Sequence, residues 1–327
     1  MSKKDMNEEI KTILVAPDKF KGTMTAAEAA HCIAEVLRLY GCDAVEMPMA
    51  DGGEGTAEMV SRMLGLAGYD ARRSLYRSAD GCVGAIDSGC FTYGDVRTRQ
   101  TLMGEDTGAL GAAICDILSE YPCMQTLYIG IGGTGTCDGG DGMLRIIVER
   151  CMAERVRQCV IGLSDVQVPL LAEVGEPSAL MFAPQKGALA EDMPVLAARL
   201  RMSRERWGAG RSSVFDGAGG GIGFAIATAL GARCLSGAEF VQRSIPWERG
   251  FDMVISGEGC IDAQTDQGKV VGTLHRECVL RHIPFVAFGG RVEIDAPWAI
   301  ACSDDKQIPS PECAIEQLRR AVARFFR

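Results

Sequence analysis

Ile13-Leu14-Val15-Ala16-Pro17-Asp18-Lys19-Phe20-Lys21-Gly22-Thr23-Met24-Thr25 is an apolar run stopped by proline, a charged loop ending in glycine, and the start of a helix. Thr25 and Glu28 have capping-box spacing, and Ala26, Ala29, Ala30, Ile33, Val36, Leu37 and Tyr40 recur at helical spacing before Gly41 stops them. A second apolar run, Ala44–Met49, empties into Ala50-Asp51-Gly52-Gly53-Glu54-Gly55 ahead of a helix near Thr56–Leu64. Strand, helix, strand, helix in that order is the grammar of a parallel sheet.

Outward from this unit the pattern changes. Residues 69–99 read as short alternating stretches, which predicts antiparallel pairing and a different subdomain. Helical spacing returns at Thr107–Leu118, followed by a strand at Leu127–Ile129, a glycine loop and a helix from about Gly142. Cys159–Phe182 reads as short strands and Met193–Trp207 as a helix. Beyond Gly217–Gly223 come a helix at Phe224–Leu230, a strand at Met253–Ile255, an acidic loop, a helix at Lys269–Val279, strands at Phe285–Phe288 and Trp298–Cys302, and a last helix at Pro311–Phe326. The expected fold is α/β: a Rossmann-like parallel-sheet domain formed by both ends of the chain (1–68, 105–150 and 215–327), with a smaller mixed α/β domain inserted (69–104 and 151–214).

At 327 residues the chain is long enough for two hydrophobic cores. The 43 acidic against 34 basic residues leave a net charge of −9, which argues against nucleic-acid and anionic-membrane partners. No run approaches the apolar length of a membrane span, and the first ten residues carry no secretory pattern, so a cytoplasmic protein is expected. Fourteen cysteines never come closer than eight residues, which excludes CxxC and zinc-ribbon spacing and predicts reduced, mostly core thiols. Three histidines are too few to anticipate a His-rich metal site or a Ser-His-Asp triad. No signal specifies an oligomeric state.

Glycine is in excess, at 40 residues, and it clusters beside carboxylates at 51–55, 130–142, 217–223 and 257–268. In an open parallel sheet ligands sit beyond the carboxyl ends of the strands, against helix N-termini. Four expected strands end in such loops: Pro17–Gly22, Asp51–Thr56, Gly130–Gly142 and Ser256–Thr265. Glycines admit phosphate oxygens to bare backbone, carboxylates hold Mg²⁺, and lysines offset phosphate charge. Each acid taken singly also reads as a helix N-cap. Gly130-x-Gly132-x-x-Gly135 matches the dinucleotide fingerprint, but the region where an acidic ribose ligand belongs, Arg145–Arg157, looks helical. A Walker A loop fails, because Ala263 stands for its first glycine and Val270 follows Gly268-Lys269.

Ala16–Gly22, Ala50–Thr56, Gly130–Leu144, Ala183-Pro184-Gln185-Lys186-Gly187-Ala188, Gly217–Gly223 and Ile255–Thr265 closely resemble, in the same order, the motifs of the bacterial glycerate kinase family of type I, the glycerate 2-kinases. The resemblance runs from about residue 12 to the C-terminus. It implies ATP-dependent phosphorylation of D-glycerate to 2-phosphoglycerate by a two-domain α/β protein with its active site in the interdomain cleft. Compared with typical members the chain is shorter, and Asp165-Val166-Gln167-Val168-Pro169-Leu170 lacks an Asp and an Asn of the usual run.

The expected catalytic residues are Asp51, Asp262, Lys21 and Asp138. Substrate and nucleotide contacts are expected from Asp18, Lys19, Gly52, Gly53, Glu54, Gly132, Gly133, Thr134, Thr136, Gly139, Lys186 and Gln264. Glu258 and Asp262 are the expected Mg²⁺ ligands and ATP the cofactor. The alternatives are a catalytically weak homologue serving as an organic-acid or nucleotide sensor, motivated by Gln167 and Val168, and a nucleotide-dependent oxidoreductase.

Overall fold

The structure, a computed structural model, describes residues 12–50, 52–173, 175–208, 210–263, 265, 269–303 and 309–327. In chain order its first half contains β1 (Thr12–Val15), α1 (Ala26–Leu39), β2 (Asp43–Glu46), α2 (Thr56–Leu64), β3 (Gly68–Asp70), β4 (Leu75–Arg77), β5 (Val83–Asp87), α3 (Arg99–Gly104), α4 (Gly108–Glu120), β6 (Thr126–Gly130), α5 (Asp141–Glu149), α6 (Ala153–Cys159) and β7 (Val160–Leu163). There follow α7 (Met193–Trp207), β8 (Arg233–Leu235), α8 (Gly237–Gln242), β9 (Met253–Ile261), α9 (Val270–Arg281), β10 (Phe285–Val292), β11 (Ala299–Ala301) and α10 (Pro311–Phe325).

Two compact units result: a terminal unit of residues 1–51 and 241–327, and a central unit of residues 52–240. These boundaries differ from the expected ones, and the inserted unit is the larger of the two. The reason is strand pairing. β6, which reads locally like the other parallel strands, hydrogen-bonds to β5 and β7 and so belongs to the inserted sheet together with its glycine loop. Helix α2 also falls in the central unit.

The terminal unit is a five-stranded, wholly parallel sheet in the order β11-β10-β9-β1-β2. Ile13, Leu14 and Val15 are completely buried, as expected of a strand covered on both faces. Thr25 Oγ1 accepts from Glu28 N at 3.1 Å, and Glu28 Oε2 accepts from Thr25 N at 2.8 Å, so the capping box that starts α1 is complete. Helix α10 starts at its Ser310 cap with Pro311 in the first turn and buries Leu318 and Val322 in the core that Ile33 and Leu37 of α1 also enter. Chain order reverses between β1 and β9, since β1 leads to β2 on one side while β9 leads to β10 and β11 on the other. That is a topological switch point, where such sheets open a crevice at the strand ends. β9 runs to Ile261 rather than stopping at Ile255, because its pairing with β10 continues through Cys260↔Arg291 and Ile261↔Val292. Glu258 is therefore a strand residue.

The central unit is a six-stranded mixed sheet in the order β3-β4-β5-β6-β7-β8. The pairs β3–β4 and β4–β5 are antiparallel, as the alternating pattern predicts, and the remaining pairs are parallel. Of the short strands expected in 159–182 only β7 forms among the described residues; Ala179–Phe182 is a 3₁₀ turn. Its core gathers Ile86, Ile114, Leu127, Ile129, Leu144, Leu196, Leu200 and Phe224.

Glycine has a specific use here. A Cβ on Gly132 would lie 2.6 Å from Gly53 Cα, and one on Gly221 (φ +105°) 2.3 Å from Gly139 Cα. What lies against this bare backbone is the backbone of another loop of the same unit. Gly221→Ala combines the left-handed penalty of about 1–2 kcal/mol with overpacking of about 1–3 kcal/mol, so we expect a loss of roughly 3 kcal/mol. Gly22 (φ +82°) has open space around a would-be Cβ, and Gly22→Ala should cost only about 1 kcal/mol. Urea unfolding of both variants checks the contrast.

Candidate functional site

The glycine loop between β6 and α5 is held on every side. Gly132 N donates to Gly52 O at 2.9 Å, Gly135 N to Thr92 O at 2.7 Å and Gly139 N to Gly220 O at 3.0 Å. Gly132 and Gly139, both expected to offer N–H groups to phosphate, therefore spend them inside the protein. Among the described residues no acceptor is met by the backbone N–H groups of Gly133, Thr134, Thr136, Cys137 or Asp138, so the loop keeps donors that it does not spend on the protein. Arg97, which sequence reasoning missed, reaches the same place: its guanidinium donates to Gly94 O at 2.7 Å and to Gly133 O at 3.3 Å. Glu54 is exposed, with its Cβ about 3.6 Å from the Cβ position of Gly133.

Lys186 enters the loop from below. Its Nζ donates to Thr134 Oγ1 at 2.8 Å and to the Thr136 carbonyl at 2.7 Å, and only 7% of the residue is exposed. Burial brings its pKa down to about 8; the nearby Arg97 charge pushes the same way, while Cys137 and Asp138 oppose it. Thr136 Oγ1 is a buried hydroxyl with no hydrogen-bond partner among the described residues. Lys186 thus pins the loop and puts a partly desolvated positive charge behind it.

Asp138 is a structural anchor of the loop. Its Oδ2 accepts from Thr107 N at 3.0 Å, Thr107 Oγ1 at 2.8 Å and Gly142 N at 3.0 Å, and Oδ1 accepts from Gly140 N at 3.1 Å. Three donors converge on Oδ2 and one on Oδ1, so the carboxylate is committed chiefly to holding the backbone around it. Asp138 ties the start of α4 to the start of α5. Asp87, which the sequence reading passed over, does the same for α2 by accepting from Gly55 N and Ala57 N at 2.9 Å each. Asp165 accepts from Ala238 N at 3.0 Å at the start of α8. The acids in or after β5, β6 and β7 hold helix starts: Asp87 ends β5, Asp165 lies two residues past β7 and Asp138 stands late in the loop after β6.

In the terminal unit the carboxyl ends of β1 and β9, either side of the switch point, carry the other group of charges. Asp18 N donates to Gly257 O at 2.8 Å, and Asp18 Oδ1 accepts from Lys19 N at 2.7 Å. Lys21 is exposed, and its backbone N lies 3.0 Å from the position a Cβ would take on Gly259. Lys269, at the start of α9, stands 3.5 Å from Glu258 Oε2 and 3.6 Å from Asp262 Oδ1, so two carboxylates address one ammonium. Thr265 joins them, donating through Oγ1 to Glu258 Oε1 at 2.8 Å while accepting from Asp262 N at 3.0 Å. Burial raises the Glu258 pKa above the ordinary carboxylate value against the pull of Lys269. Sequence reading treats Lys269 only as a failed Walker lysine, although its place after an acidic loop and before a helix is a usable signal. Asp51 and Gln264 lie outside the described residues. Among the described residues no group of three or more His, Cys, Asp or Glu gathers as a metal site, and no helix is long and apolar enough to cross a membrane.

An α/β protein with charged loops at the switch point of one sheet and a pinned glycine loop at the strand ends of another has the make-up of a ligand-binding enzyme of the doubly wound class. The glycerate kinase family model matches residues 13–159 and 147–305, and the chain belongs to that family. It is 29% identical over 339 residues to the glycerate 2-kinase of Escherichia coli (strain K12), covering 86% of each chain. It is also 28% identical over 333 residues to the glycerate kinase of Bacillus subtilis (strain 168), covering 87% of this chain and 86% of that one. The fold matches the crystal structure of putative glycerate kinase 2 from Salmonella typhimurium LT2 with a TM-score of 0.70 at 23% identity, over 97% of this chain and 98% of that one.

Two predictions separate pins from chemistry. Asp138→Ala leaves four donors without their acceptor and should cost about 3 kcal/mol or more in urea unfolding. Lys186 has a folded pKa of about 8 against an ordinary 10.5, so between those values the unfolded chain binds more protons and stability rises with pH. Relative to Lys186→Met, the wild-type protein should gain about 3 kcal/mol across that window, read from unfolding curves at each pH.

Proposed function

We propose that this chain is an ATP-dependent kinase that phosphorylates D-glycerate to 2-phosphoglycerate, using Mg²⁺. The observation that carries the reading is the family match across nearly the whole chain, joined to the Glu258–Asp262–Lys269 cluster at the switch point. Phosphoryl transfer requires alignment and charge neutralisation more than covalent chemistry from the protein. Two carboxylates already directed at one positive centre fit Mg²⁺, which takes one or two carboxylates and leaves its other positions to water and phosphate. When bound, the ion would neutralise phosphate charge, and Glu258 and Asp262 are the residues to hold it.

The chain's own groups divide the remaining work. Gly133 and Thr134 offer N–H groups to phosphate oxygens, and Arg97 with Lys186 supplies positive charge behind them. Lys21 and Lys269 counter charge in the terminal unit. Asp262, more exposed than Glu258, is the group proposed to take the proton from the attacking hydroxyl. Asp51 remains a proposed catalytic residue, Asp18, Lys19, Gly52, Gly53, Glu54 and Gln264 remain proposed contacts of substrate or nucleotide, and Gly132, Gly139, Thr136 and Asp138 are proposed to shape the loop. A kinase drawing on ATP would work in the cytoplasm.

ADP release across D-glycerate, L-glycerate and tartronate tests the reading. Turnover should be highest with D-glycerate and depend on Mg²⁺, with the phosphate on the 2-hydroxyl by ³¹P NMR. Absence of turnover with all three would overturn the substrate and leave a sensor. Asp262→Asn should lower kcat at least a hundredfold, about 2.7 kcal/mol of transition-state stabilisation, with its urea midpoint unchanged. Near-normal kcat would remove Asp262 from the reaction.

A further inference from the structure

Fourteen cysteines are free thiols in the structure, and only Cys32, Cys115, Cys137, Cys159 and Cys278 are buried, fewer than a core role for most of them requires. Two of the others meet. The turn between β4 and β5 is fixed by Asp80, whose Oδ1 accepts from Ser78 Oγ at 2.6 Å and from Cys82 N at 2.9 Å, with Gly81 left-handed at φ +72°. The loop leading into β6 lies against this turn: Gln125 N donates to Cys82 O at 2.7 Å and Thr126 N donates to the same oxygen at 3.2 Å. As a result the Cys123 thiol donates to the Asp80 carbonyl at 3.3 Å, and the Cys82 thiol points to the same carbonyl at 4.0 Å. A Cβ built on Gly81 would be 3.5 Å from Cys123 Sγ, so the sulfur lies directly on the turn.

We propose that Cys82 and Cys123 are a dithiol site that closes to a disulfide when a small-molecule disulfide is present. Parallel pairing of β5 with β6 from Val83↔Thr126 onward fixes the two segments side by side, so the bond needs side-chain rotation and little backbone movement. Cys123, the exposed thiol, reacts first: its thiolate attacks one sulfur of the reagent, forming a mixed disulfide and expelling one thiolate. The Cys82 thiolate then attacks Cys123 Sγ and expels the second. The protein loses two electrons and two protons, and the reagent becomes two thiols. Partial burial, the Asp80 carboxylate and the neighbouring Cys123 raise the Cys82 pKa, which favours Cys123 as the first thiol to react. The site lies at the amino ends of β5 and β6, whereas the glycine loop leaves the carboxyl end of β6. Closing it should leave ADP release unchanged, so the inference does not depend on the kinase reading.

The test is peptide mapping without reduction after incubation of the whole protein with glutathione disulfide. A linked Cys82–Cys123 peptide should dominate. Cys82→Ser should instead accumulate a stable glutathione adduct on Cys123, and Cys123→Ser should leave Cys82 unmodified under the same treatment. Serine replaces each sulfur almost isosterically, and melting curves of both variants confirm folding. Persistence of both thiols, stable separate adducts on both, or linkage of either cysteine to a different partner would overturn the proposal.

Discussion

In the central unit, loops lie on one another with no side chain between them. The turn at Gly52 and Gly53 rests on Gly130–Gly132, and Gly220 and Gly221 rest on the backbone from Thr136 to Gly139. Such contacts exclude any Cβ, and each glycine costs conformational entropy to order. Two buried charged groups offset that cost. The Asp138 carboxylate gathers four donors, and the Lys186 ammonium bonds Thr134 and Thr136. The loop is thereby held by the protein's own groups, with the N–H groups of Gly133 and Thr134 among those it leaves unbonded among the described residues. Donors fixed in advance need no reorganisation when charge develops near them, which is the form of help phosphoryl transfer uses best.

Acids that look alike in the sequence serve two purposes. Asp87 at the end of β5, Asp138 in the loop after β6 and Asp165 after β7 each hold the amino end of a helix. Glu258 lies within β9 and Asp262 just after it, and both approach the side chain of Lys269. The distinction lies in the donors. Backbone N–H groups at helix starts bond the first set, while the second shares the ammonium of Lys269. Burial of Glu258 sharpens this, because it makes the charged carboxylate depend on having a positive centre beside it.

Much of the fold is legible in the amino-acid order because its causes are local. The capping box at Thr25 and Glu28, the apolar stripe of α10 and the alternating pattern of β3 to β5 all depend on neighbours within a few residues. Domain membership is not local. β6 has the composition of any parallel strand, and only its hydrogen bonds to Val83–Asp87 assign it to the inserted sheet. The glycine clusters are visible, but their reason is not, since the loop that packs on Gly139 comes from residues 220 and 221. At the candidate site, residue types are legible and roles are not. Asp138 reads equally well as acid or cap until its donors are counted, and Lys269 matters only once β9 and α9 bring it between two carboxylates.

Amide hydrogen exchange with and without a non-hydrolysable ATP analogue addresses the central claim most directly. Peptides covering Gly130–Gly142 should exchange slowly in the free protein, because the loop is already held, and slow further when nucleotide and Mg²⁺ are added. Fast exchange of this loop in the free protein, or an unchanged rate when the analogue is bound, would contradict a preset phosphate loop.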